Sequence, residues 1–188
     1  MGTAIRLGLG IVTVLAGSAY AGLNLTPQTE EYELEGVKLQ QLVFNDGGRR
    51  VTYAPPKKWN YSGGGNRVVF HPAESNAEAV VTVNNLSRPE TFDDATRKSL
   101  CDYVLSSVPP SSTNVTLVSQ QMSPLLIGGK PTFLVVISYD CYGQACARSV
   151  MFLNRPNDQL RFQLTAGRNV FQQLQKAFES SHYSWQNL

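Results

Sequence analysis

The chain has 188 residues, 42% of them apolar, enough for one domain with a sizeable core. Sixteen basic and fourteen acidic residues leave a formal charge of +2. That balance excludes the dense basic face of a nucleic-acid platform or an anionic-membrane binder, and three cysteines with two histidines are too scattered for a closed zinc site.

Arg6 is the only charge before residue 30. An apolar core, Leu7 to Ala16, and the small-x-small site Ala19-Tyr20-Ala21 follow it. This pattern predicts a secretory signal over residues 1–21, cut after Ala21, and a soluble secreted or periplasmic product with no membrane span left. No cysteine follows the apolar core, so attachment as a lipoprotein is closed. The sequons at Asn24, Asn60, Asn85 and Asn114 matter only in a eukaryotic secretory route. The absence of a dense disulfide framework favours a bacterium.

Residues 22–30 read as a linker, and residues 31–188 as a single domain. The acidic run Glu30 to Glu35 reads as a solvated strand edge, with Tyr32 and Leu34 facing inward. Lys38 to Phe44 predicts a strand, Asp46-Gly47-Gly48 a hairpin turn, and Arg49 to Tyr53 the return. Pro55-Pro56 ends the pairing, and Lys57-Lys58-Trp59 reads as solvated lysines beside a core tryptophan. Gly63-Gly64-Gly65-Asn66 opens the strand Arg67 to Phe70 and not a helix, so it is a hairpin tip rather than a phosphate loop. Ala79 to Asn85 is another strand, rich in β-branched residues.

Thr91 is the predicted N-cap of a helix, with Asp93-Asp94 in its first turn. Leu100, Val104 and Val108 form its apolar stripe, Cys101 lies among them as a buried thiol, and Pro109-Pro110 stops it. Asn114 to Gln121 is a strand. Gly129-Lys130 is no nucleotide-binding loop, because Pro131 stands where Ser or Thr is needed, so no cofactor is expected.

Pro131 to Thr165 predicts a meander of three strands. Phe133, Val135, Ile137, Tyr139 and Cys141 share one face, and Leu134 and Val136 the other, as in a strand covered on both sides. Gly143-Gln144 suits a two-residue turn, which places Cys141 opposite Cys146 and predicts a Cys141–Cys146 disulfide across the hairpin. In the third strand Leu160, Phe162 and Leu164 alternate with Gln159, Arg161 and Gln163, predicting a strand that is half exposed or near an edge. Arg168 to Ser181 is the last helix, with the stripe Phe171, Leu174, Ala177 and Phe178. Tyr183 and Trp185 are expected to close the core.

The predicted fold class is α+β: a mostly antiparallel sheet with two main helices. The chain resembles the PsbP-like superfamily of α/β/α sandwiches, which includes DcrB-type bacterial envelope proteins. The resemblance rests on the hairpin ending at Tyr53-Ala54-Pro55 with Trp59 behind it, the helix after Thr91, the Ile127-Gly128-Gly129 turn and Leu164-Thr165-Ala166 before the last helix. It implies an accessory or binding role and carries over no catalytic residue. The expected function is therefore an exported, non-catalytic domain whose partner is an envelope protein or a small ligand. Two alternatives stay open. A hydrolase would have to recruit Asp140 and Ser149 with His71 or His182, although both histidines read as surface residues. A redox-responsive module would use Cys141 and Cys146.

Overall fold

In the computed structural model, residues 22–73 and 75–188 are described, so the predicted signal lies outside them. The alternating run after Pro131 forms three adjacent antiparallel strands: β8 (Thr132–Cys141), β9 (Gln144–Asn154) and β10 (Asp158–Gly167). Four more strands complete this sheet: β4 (Trp59–Gly64), β5 (Arg67–Pro72), β6 (Glu78–Asn85) and β7 (Thr113–Met122). The order is β4-β5-β6-β10-β9-β8-β7, with every pair antiparallel. β10 is thus the central strand and not near an edge, because it pairs with both β6 and β9. The α+β expectation of a mostly antiparallel sheet with two main helices holds.

A second sheet of three strands is formed by β1 (Leu23–Leu34), β2 (Val37–Asp46) and β3 (Arg49–Tyr53). Residues 23–30 are therefore strand and not linker. Leu23 and Leu25 are buried, while Asn24 and Thr26 are exposed. Pro27, which cannot donate to a ladder, sits where the β1–β2 register slips.

Helix α1 (Asp94–Ser106) covers one face of the large sheet. Its Leu100, Cys101 and Val104 pack on Phe133, Val135, Ile137, Tyr139, Val150 and Phe152. The N-cap is Asp93, not Thr91: Asp93 Oδ1 accepts the Thr96 amide at 2.8 Å. At the other end, Arg148 binds the C-terminal cap. Its Nη1 donates to the Ser107 carbonyl and, at 3.0 Å, to Ser107 Oγ, placing a cation where the helix dipole is negative.

Helix α2 (Arg168–Ser181) and the small sheet share the opposite face. Trp185 joins them, lying 4.4 Å from Tyr53 and 5.5 Å from Phe44 in stacked geometry, with Phe162 edge-on at 5.9 Å. Gln186 exchanges backbone hydrogen bonds with Thr52. Tyr183 points outward, 71% exposed, and takes no part in the core.

An ionic cluster also fastens the sheets together. Arg155, between β9 and β10, donates to Asp158 twice at 2.6 Å and to Asp46 of β2 at 3.0 and 3.3 Å. All three side chains are at most 4% exposed. Arg49 adds a second cation to Asp46 at 2.6 Å, so charges in the cluster balance. Burial opposes the Arg155 charge, but the two carboxylates outweigh it and hold the guanidinium protonated.

Candidate functional site

The structure places the sequence-derived candidates at separate points. The β8–β9 turn is Tyr142-Gly143, both with positive φ (50° and 76°), a type I′ arrangement. Cys141 then pairs with Gln144, and Cys146 with Tyr139. The expected direct opposition of the two cysteines is corrected: they are diagonal neighbours on one face, and Cys101, Cys141 and Cys146 are all free thiols. Burial first, then Cys141 and Asp140, push the Cys146 thiol up, away from the nucleophilic thiolate. Cys101 is buried as expected and meets Gln120 Oε1 at 3.1 Å.

Asp140 accepts from Asn114 Nδ2 at 2.8 Å and faces Arg168 at 3.7 Å. Ser149 is buried in the middle of β9. His71 is exposed on β5, as expected. His182 is not a surface residue: it is 1% exposed, wedged between the rings of Phe162 (4.6 Å) and Phe178 (4.5 Å). Its Nδ1 has no hydrogen-bond partner, and burial lowers its pKa to about 3. A neutral imidazole sealed among phenylalanines cannot take a proton from a nucleophile at the surface. Among the described residues, neither histidine side chain hydrogen-bonds a serine, cysteine or carboxylate.

Two surface features remain. The first is the outer half of the β1–β2 hairpin. Tyr32 pairs with Leu39 and Leu34 with Val37, so all four side chains share one face; Glu31, Gln40, Glu33 and Lys38 share the other. Tyr32 is 36% exposed, and Leu34 and Val37 are both 57% exposed. The expectation that Tyr32 and Leu34 face inward is thereby corrected. Glu30, held by Arg50 and by Gln41 Nε2, marks the last anchored position. Four residue pairs lie beyond it, about 14 Å of strand.

The second feature is a cleft of about 350 Å³ where β4 and β5 meet α2. Its apolar wall is Trp59, Val170 and Leu174, all half-buried against the core. Val170 and Leu174 are one helical turn apart, and Trp59 stacks on Phe178 at 5.8 Å. Lys57 and Lys58, both exposed, border the opening. The sequence identified Lys57, Lys58, Trp59 and Leu174 individually but neither Val170 nor the cleft, because α2 lies over a hundred positions away.

No protein-family model matches the sequence. No curated protein matches it either. Solved structures share the fold at low identity. CyanoP, the cyanobacterial PsbP of Synechocystis, aligns over 95% of this chain and 98% of its own, with TM-score 0.52 and 13% identity. LpqN of Mycobacterium tuberculosis, involved in cell envelope biogenesis, aligns over 72% of this chain and 81% of its own, with TM-score 0.52 and 14% identity. A Pseudomonas aeruginosa protein of unknown function, PA94, aligns over 83% and 94%, with TM-score 0.50 and 16% identity. These likenesses establish a PsbP-like architecture. Among the described residues, no helix is long and apolar enough to cross a membrane.

Proposed function

We propose that this protein is an exported, non-catalytic binding or accessory domain of the cell envelope, secreted or periplasmic once residues 1–21 are removed. The observation that carries this reading is the projecting hairpin. A strand pair that keeps Tyr32, Leu34 and Val37 in water while its other face is charged loses hydrophobic stabilisation in isolation. A protein surface docking on that face would recover it. The enclosed His182 and the raised Cys146 thiol weigh against the hydrolase and redox alternatives. A name attached to LpqN, cell envelope biogenesis, is consistent with this setting. The proposal includes a Cys141–Cys146 crosslink in the oxidising compartment, for which the hairpin ends would have to shear slightly.

The test is capture from the envelope fraction with the exported chain as bait, beside the double variant Leu34→Lys/Val37→Lys. A partner retained by the native protein and lost by a folded variant supports the role. An identical partner set for both proteins, or none for either, overturns it.

A further inference from the structure

We infer that the cleft between the Lys57-Lys58 turn and α2 binds a small amphipathic anion, an acyl or aryl carboxylate in chemical class. This site is separate from the hairpin, and neither reading depends on the other.

Pro56 to Trp59 is a tight turn closed by the Trp59 amide on the Pro56 carbonyl at 3.3 Å. Its third residue, Lys58, has φ +64°. That position belongs to glycine or asparagine, and a lysine there is strained. The turn is fixed from the other side by the Ala73 amide, which donates to the Lys58 carbonyl at 3.3 Å. A long cationic side chain is therefore held where a small residue would be easier. Lys57 stands next to it, and neither ammonium group has an ion-pair partner among the described residues. Together they give the mouth of the cleft a positive potential, which favours an anion there.

The cleft supplies the second half of the recognition. Its wall of Trp59, Val170, Leu174 and Pro72 is apolar, with Ser75 and Gln173 adding hydrogen-bonding groups. At about 350 Å³ it lies at the small end of ligand sites, which suits one short chain or ring and not a peptide. An apolar body would lie on the indole and the α2 stripe, and a carboxylate at the mouth would meet the two ammonium groups. A purely apolar ligand would leave the lysines unused, and an inorganic anion would leave the wall wet.

The experiment titrates the exported protein with sodium decanoate and, separately, with 1-decanol, followed by calorimetry and by tryptophan fluorescence. Trp185 is buried, so a fluorescence change that disappears in Trp59→Phe reports this cleft. Decanoate should bind saturably with one site at concentrations below about 1 mM. Its affinity should fall about tenfold in Lys57→Gln/Lys58→Gln, and decanol should bind the native protein about tenfold more weakly than decanoate. Both lysines are exposed, so the double variant is expected to fold as the native chain does. Equal affinities for the two probes, no effect of the double variant, or no saturable binding of decanoate would each overturn the inference. Loss of the hairpin's partner would leave it intact.

Discussion

Acid should unfold this protein through His182. Its ring is 1% exposed between two phenylalanines, and burial holds its pKa near 3 against an ordinary value of 6.5. Above pH 6.5 the imidazole is neutral in both the folded and unfolded chain, and this residue contributes no pH dependence. Below that, the unfolded chain binds a proton that the folded chain refuses. Stability then falls by about 1.4 kcal/mol for each pH unit, reaching a loss of about 5 kcal/mol near pH 3. Other groups titrate in the same range. Glu179, whose pKa burial raises, acts in the opposite direction, and Asp93, lowered chiefly by its hydrogen bond with Thr96, acts in the same direction at more acid pH. The difference between native protein and His182→Leu isolates the histidine. Urea unfolding at several pH values from 7.5 to 4 provides the measurement. The native stability should slope downward below pH 6.5, and the variant should lose most of that slope. The variant also removes a buried nitrogen without a partner, which offsets part of the packing it gives up. Parallel curves for the two proteins would refute the reasoning.

Replacing Arg155 with Met strands Asp158 inside the protein, leaves Asp46 with Arg49 alone, and should cost about 3–5 kcal/mol, read as a lowered urea midpoint. Adding Asp46→Asn and Asp158→Asn to that variant should recover part of the loss. At Gly63 an added methyl would sit 2.5 Å from the Arg67 carbonyl oxygen and 2.7 Å from Val68 Cα, both backbone. Gly63→Ala should therefore destabilise by about 1–3 kcal/mol in thermal melts, whereas Gly65→Ala meets no neighbour and bears only the backbone strain of its φ of +62°. Thiol titration of the denatured exported chain should find Cys101 alone; three reactive thiols would remove the proposed crosslink.

Patterns of local alternation were readable, while distant pairings were not. The strands of the 131–165 meander and the bounds of α2 follow from alternating and helical apolar spacing alone. His182 carried a usable signal, since it continues the stripe Phe171, Leu174, Phe178 by four residues; the usual exposure of histidine in a tail obscured it. Leu23 and Leu25 likewise alternate with polar neighbours, but Pro27 suggests a linker until a bulge accommodates it. In the β8–β9 hairpin one glycine permits two turns, and placing it second instead of first shifts Cys141 from Cys146 to Gln144. Nothing local joins Asp46 to Arg155 across 109 positions. The same distance problem hides the cleft, whose halves come from β4 and α2.

The hydrogen bonds from Thr52 to Gln186 span 134 positions and bear on how the molecule is made. At ordinary ribosomal speeds, roughly 7–27 s pass between synthesis of these two residues. Tyr53 and Phe44 wait through that interval without the indole they stack on. A nascent chain that cannot complete its core early stays threadable, which suits passage through a narrow translocation channel. Shortening that delay by circular permutation would be expected to speed folding and, on the proposed export route, to hinder translocation.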